Sequence, residues 1–201
     1  MAYVLGFFTA DGNMIKNKRS AHFIEFHITD KKLLEKIKKS LGSNHKISTR
    51  TRDKKWKLGY RLQIGSKEIF NDLLKLGLTQ NKSKTILFPK IPQKYLSDFI
   101  RGYFDGDGHV SICTYQKNDR KSLSTIIISG FTSGSKKFLE VLKKVLYNNA
   151  GLKGGTLCYS GRGWRLNYSI LDSKKLYYYL YPKKLNNLFL NRKKKIFEKF
   201  I

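Results

Sequence analysis

The sequence predicts an α+β protein made of two related halves, each running helix-strand-strand-helix-strand-strand-helix, so that two four-stranded sheets are backed by helices. Three observations lead there. First, VLGFFTADG at residues 4–12 is answered by IRGYFDGDG at residues 100–108. Gly6, Phe8, Asp11 and Gly12 recur as Gly102, Phe104, Asp107 and Gly108, all displaced by the same 96 residues, close to half of the 201-residue chain. Second, Tyr60-Arg61-Leu62-Gln63 is answered by Trp164-Arg165-Leu166-Asn167 at a displacement of 104, a drift of eight residues that fits a longer helix and loop in the second half. Third, helical and strand periodicities alternate in the same order in both halves. The halves divide as residues 1–88 and 89–201, with Pro89 and Pro92 in the connection.

In chain order, Ala2 to Asp11 reads as a helix stopped by Gly12. Its counterpart, Gln93 to Asp107, carries Tyr95, Leu96, Phe99, Ile100 and Tyr103 and stops at Gly108. Strand pairs follow at 13–18 with 21–28 and at 109–115 with 123–131. Leu33, Leu34, Ile37 and Leu41 mark a helix over 30–41, and Phe138, Leu139, Leu142, Val145 and Leu146 one over 133–148. Asp30 is placed to cap the first of these. Further strand pairs read at 46–52 with 56–64 and at 154–160 with 163–170, and a short helix closes each half. Tyr177, Tyr178 and Tyr179 read as part of an amphipathic helix packed on a sheet, and Trp56 and Trp164 as packing residues. The Lys-rich stretch from Asn191 to Lys199 reads either as a helix end or as a phosphate-contacting arm.

Composition narrows the partner. With 41 Lys+Arg against 14 Asp+Glu, the net charge of +27 favours polyanions and gives little reason to expect a cationic substrate. Hydrophobic residues at 40% and aromatics at 13% exclude a mostly disordered basic tail, which would have nothing to bury. No apolar run approaches the roughly 20 residues that span a bilayer. Cys113 and Cys158 form neither a disulfide framework nor a zinc pattern, and His22, His27, His45 and His109 lack ligand spacing, so a reducing intracellular setting is expected.

The strands show where the charge goes. In 57–64, Leu58, Tyr60, Leu62 and Ile64 take one parity while Lys57, Gly59, Arg61 and Gln63 take the other, and period two sends them to opposite faces. Arg165 and Asn167 repeat the pattern, and Lys46, Ser48, Arg50 and Arg52 share one face of another strand. Lys46, Ser48, Arg50, Arg52, Lys57, Arg61, Gln63, Arg165 and Asn167 thus form a candidate DNA-binding set, suited to base edges and phosphates.

Acid is scarce, which gives weight to its placement. Asp11 and Asp107 each end a helix, where the macrodipole disfavours an anion by up to about 1 kcal/mol. The small residues Gly6, Ala10, Gly102 and Gly106 would let the two helices pack closely and bring those ends together. Two carboxylates converging in so positive a field would make a site for a divalent cation such as Mg²⁺, and phosphodiester hydrolysis follows from that chemistry.

At these residues the sequence resembles the LAGLIDADG homing endonucleases. VLGFFTADG and FIRGYFDGDG look like the two signature helices, and LGLTQNKSKTILFPKIPQKYLSDFIRGYFDGDG looks like the junction of the single-chain, two-motif members. The resemblance implies a monomer of two pseudo-twofold related αββαββα units, with saddle-shaped antiparallel sheets in the DNA major groove. It implies signature helices packed at the interface through Gly6 and Gly102, and metal-binding acids at Asp11 and Asp107. Cleavage would cross the minor groove with Mg²⁺ and leave four-base 3′ overhangs on a long double-stranded DNA site. The earlier motif acid is kept as Asp105 but replaced by Thr9. By element order, Lys82 or Lys84 and Lys183 or Lys184 are the candidate catalytic lysines. The same scaffold in the family also serves as intron RNA maturase or as a noncatalytic DNA-binding protein; Asp11 and Asp107 favour cleavage over both. A prokaryotic cytoplasm or an organelle interior would suit the composition equally.

Overall fold

The computed structural model describes residues 1–50, 57–116, 122–183 and 187–201. Helix α1 (Ala2–Asp11) leads into strands β1 (Gly12–Lys16) and β2 (His22–Ile28), helix α2 (Lys31–Ser40), strands β3 (Ile47–Arg50) and β4 (Gly59–Gly65), and helix α3 (Lys67–Lys75). The second round comprises α4 (Leu96–Asp107), β5 (Gly108–Gln116), β6 (Leu123–Ser133), α5 (Lys136–Ala150), β7 (Thr156–Tyr159), β8 (Trp164–Tyr168) and α6 (Ile170–Leu180), and α7 (Asn191–Glu198) ends the chain. Each half builds one four-stranded antiparallel sheet, ordered β1-β2-β4-β3 and β5-β6-β8-β7. This is the paired αββαββα architecture that the repeats predict. Among the described residues no helix is long and apolar enough to cross a membrane.

Helix α1 carries no charge before Asp11, and it is apolar nearly all round because it is covered on two sides. One side meets its own sheet, with the Phe8 ring 5.2 Å from that of Phe26, edge to face. The related pair Phe104–Phe131 repeats this geometry at 5.4 Å. The other side meets α4 at backbone distance. A Cβ on Gly6 would lie 1.9 Å from the Phe99 carbonyl oxygen, and one on Gly102 would lie 2.0 Å from that of Tyr3. These two contacts are the same contact seen from either side of the pseudo-twofold, and only glycine permits them. Helices α2 and α5 pack over the same apolar faces of the sheets through Leu33, Leu34 and Ile37, and through Phe138, Leu139, Leu142 and Leu146. Asp30 caps α2 by accepting from the Leu33 amide at 2.9 Å, as its position suggested.

Several boundaries differ from the sequence reading. A 3₁₀ turn at Gln93–Tyr95, closed by the Tyr95 amide on the Pro92 carbonyl, precedes α4, which therefore starts at Leu96. Strand β6 runs through Ser133, so α5 begins only after its cap, Ser135. Strand β4 begins at Gly59, which leaves Lys57 and Leu58 exposed ahead of it rather than in the strand. The basic tail is a helix, α7, anchored by Phe197 against Phe104 and Tyr177. Arg52, Trp56 and Lys184 lie outside the described residues.

Candidate active site

Because α1 and α4 run side by side, their carboxyl ends meet. Asp11 and Asp107 are the last residues of the two helices. A Cβ on Gly106 would sit 3.2 Å from Asp11 Oδ2, so the Asp11 carboxylate lies against the end of the opposite helix. Crowding raises both acids. Burial lifts Asp11, against the opposing pull of Lys193 and Lys82. Burial and then the Asp11 charge push half-buried Asp107 up to about 7, against the opposing pull of Lys193 and Lys82.

Two buried lysines flank the acids. Lys82, in a 3₁₀ turn at Lys82–Lys84, donates to the Gly12 carbonyl, and its Nζ sits 5.3 Å from the Phe8 ring centroid. Lys193, in α7, donates to the Gly108 carbonyl at 2.6 Å, with Nζ 5.2 Å from the Phe104 ring. Gly12 and Gly108, like Phe8 and Phe104, are repeat mates, so the two ammonium groups occupy equivalent posts. Lys193 also donates to the Phe104 and Asp105 carbonyls at 2.6 and 2.9 Å. It thereby caps the carboxyl end of α4 and offsets the dipole that would otherwise repel Asp107. Burial lowers the Lys193 ammonium to about 8 and lowers Lys82 as well, while the nearby acids act in the other direction.

Of the candidate lysines, Lys82 lies at the acids, whereas Lys84 is exposed and Lys183 lies exposed at a bend just after α6. Among the described residues of the second half Lys193 is the buried lysine near Asp107, and Lys184 lies outside them. Lys193 is supplied by α7, the helix added after the closing helix of the second half. Sequence periodicity marked that tail only as basic; its apolar residues Ile196, Phe197 and Phe200, with Phe197 four residues after Lys193, were the available signal.

Asp105 has a different task from Asp107. Its Oδ2 accepts from the Tyr3 hydroxyl at 2.7 Å and from the Leu190 amide at 2.8 Å, which ties α1, α4 and the entry to α7 together. Burial raises this carboxyl to about 6 even so. Its repeat mate Thr9 needs no such reach and donates to the Leu5 carbonyl of its own helix at 2.7 Å. Beside Asp11 lies a recess of about 210 Å³, lined among others by His27, Asp30, Asp105 and Arg192.

The uncovered faces of the sheets carry the polar parity. In the first sheet, Asn13, Glu25 and Gln63 lie in one row across β1, β2 and β4, and His27, Arg61 and Ser48 in the next. Arg50 pairs with Gly59, and Lys46 is exposed just ahead of β3. In the second sheet, His109, Gly130 and Asn167 form one row, and His109 Nε2 meets Asn167 Oδ1 at 3.0 Å. Arg165 is exposed beside them.

Comparisons with known proteins agree with this architecture. The profile of the LAGLIDADG-like domain matches residues 1–76 and 94–163, and the chain belongs to that family. An uncharacterized protein of Methanocaldococcus jannaschii is 30% identical over 118 residues, 55% of this chain and 39% of its own length. The chain thus spans less than two thirds of that relative. Among solved structures, the I-SmaMI LAGLIDADG homing endonuclease bound to cleaved DNA superposes with a TM-score of 0.65 at 15% identity, covering 98% of this chain and 87% of that one. The LAGLIDADG meganuclease I-AabMI bound to uncleaved DNA gives a TM-score of 0.64 at 15% identity, with the same coverage.

Proposed function

We propose that this chain is a site-specific double-stranded DNA endonuclease of the homing type, acting as a monomer. In this reading it hydrolyses one phosphodiester in each strand across the minor groove with Mg²⁺ and leaves four-base 3′ overhangs. The observation that carries it is the meeting of two helix ends, each presenting an aspartate beside a buried lysine, next to two sheets with polar open faces. The family and the DNA-bound relatives of the same fold support it.

The acids suit a divalent cation. Asp11 raises Asp107 by repulsion, so a positive ion between them would relieve a conflict already built into the site. Among the described residues no three His, Cys, Asp or Glu gather as a cage, at the two acids or elsewhere, so the protein would supply only this pair. A pair of carboxylates leaves the remaining positions to water and phosphate oxygens, the manner in which Mg²⁺ is commonly held. When bound, the cation supplies Lewis acidity at the scissile phosphate. Asp11 and Asp107 would hold it and fix its place relative to both strands. Lys82 and Lys193 would stabilise the charge that grows as water attacks phosphorus and the bond to the 3′ oxygen breaks. Lys46, Ser48, Arg50, Arg61, Gln63, Arg165 and Asn167 would hold the duplex over the site.

The test is incubation of the purified chain with a double-stranded DNA library in Mg²⁺, followed by sequencing of the new ends. Paired breaks four bases apart at one long motif are the expected result. Selective retention of duplex DNA without cutting would replace the nuclease by a binding protein, and retention of structured RNA instead would favour a maturase.

A further inference from the structure

The reading face of the first sheet contains a carboxylate where repulsion from DNA phosphate should exclude one. Glu25 lies in the middle of β2 on the uncovered face, yet it is 8% exposed. Its Oε2 accepts from Arg61 Nε at 2.7 Å. A buried acid on such a face is tolerable only when paired, and the pairing also constrains its partner. An unrestrained arginine near DNA swings to the phosphates; one held through Nε keeps free the end-on edge, where each terminal nitrogen directs one N–H away from Nε. That end-on fork matches the O6 and N7 acceptors of guanine in the major groove.

The second half lacks this device. Gly12 pairs with Phe26 and Gly108 with Phe131, while Phe26 pairs with Leu62 and Phe131 with Leu166. These registers make Arg165 the counterpart of Arg61 and Gly130 the counterpart of Glu25. At Gly130 a Cβ would lie 2.3 Å from the Leu166 carbonyl oxygen, 2.8 Å from His109 Cε1 and 3.0 Å from Asn167 Oδ1, so the neighbouring strand's backbone and the His109–Asn167 pair leave no room there for a side chain like that of Glu25.

We infer that Glu25 is a positioning residue that fixes Arg61 as a guanine reader, so that the half-site under the first sheet contains one strongly specified G·C pair while the related position under the second sheet is tolerant. The inference rests on the DNA-binding reading above. It concerns which base is selected, not whether DNA is cut.

The experiment retains a randomised duplex library on the full chain and sequences it before and after, for wild type, Glu25→Gln, Glu25→Ala and Arg61→Lys. Wild type should enrich guanine at one column by about tenfold or more, the discrimination expected of a bidentate arginine. Arg61→Lys should erase that column, and both Glu25 variants should flatten it while total retention holds or rises, because a negative charge has gone. Thermal melts establish that each variant is folded. Equal loss of retention for every sequence in Glu25→Gln, the signature of a merely structural acid, would overturn the inference. So would a selected motif with no guanine column sensitive to Arg61. Equal retention of all sequences by wild type would instead overturn the sequence-specific reading itself, and the inference with it.

Discussion

Lys82 and Lys193 hold equivalent posts beside the two motif acids although they come from unrelated elements, one from a 3₁₀ turn late in the first half and the other from the last helix. Each donates to the carbonyl of the glycine that ends a signature motif, and each lies over the phenylalanine four residues before that glycine. The pseudo-twofold therefore extends to the charges around the site and not to the chain that supplies them.

The acids oppose folding where they would serve chemistry. Asp107→Asn should raise stability at neutral pH by on the order of 1 kcal/mol, since it removes a repelled, half-buried charge, and should abolish cleavage. Thermal melts and a cleavage assay on the same preparation check this; a fall in melting temperature would contradict it.

The helix contact tolerates no side chain. Gly6→Ala and Gly102→Ala each drive a methyl into a backbone carbonyl of the facing helix, with no flexible group to yield. A loss of about 3 kcal/mol or more is expected for either, read from denaturant unfolding. Gly42→Ala, at a site with open space but a φ of +60°, serves as a control in which only local strain acts.

Asp105 is expected to act through α7. Asp105→Ala leaves the Tyr3 hydroxyl and the Leu190 amide without their acceptor, at a cost of about 2–4 kcal/mol. Since Leu190 opens the helix that carries Lys193, cleavage should fall further than the loss of folded protein explains. Activity measured at a temperature where the variant remains fully folded separates the two effects.

Binding should be steeply salt-dependent in a protein of net charge +27. Several phosphate contacts imply a drop on the order of 10³-fold between low and moderate salt. Replacing exposed Arg50 by Ala should lower the salt slope by about one if it meets a phosphate, measured by titration of a labelled duplex.

Much of this was legible in the sequence because duplication wrote it twice. The repeat of Gly6, Asp11 and Gly12 at Gly102, Asp107 and Gly108 located the interface helices, and alternation in the strands separated a covered face from an open one. Lys193 was not legible as a site residue, since charge alone does not separate it from Lys194 and Lys195, and Phe197 four residues on marks only which face of the helix is covered. The Glu25–Arg61 pair escaped for a related reason: its partners are 36 residues apart, and only the strand register brings them together.

The most direct measurement follows the two DNA strands separately during cleavage by Lys82→Met and Lys193→Met. The expected result is that each variant accumulates a nicked intermediate, with the intact strand differing between them, and that both still bind the target. Slowing of the same strand by both variants, or undiminished cutting by either, would contradict the placement of one lysine at each of two related sites.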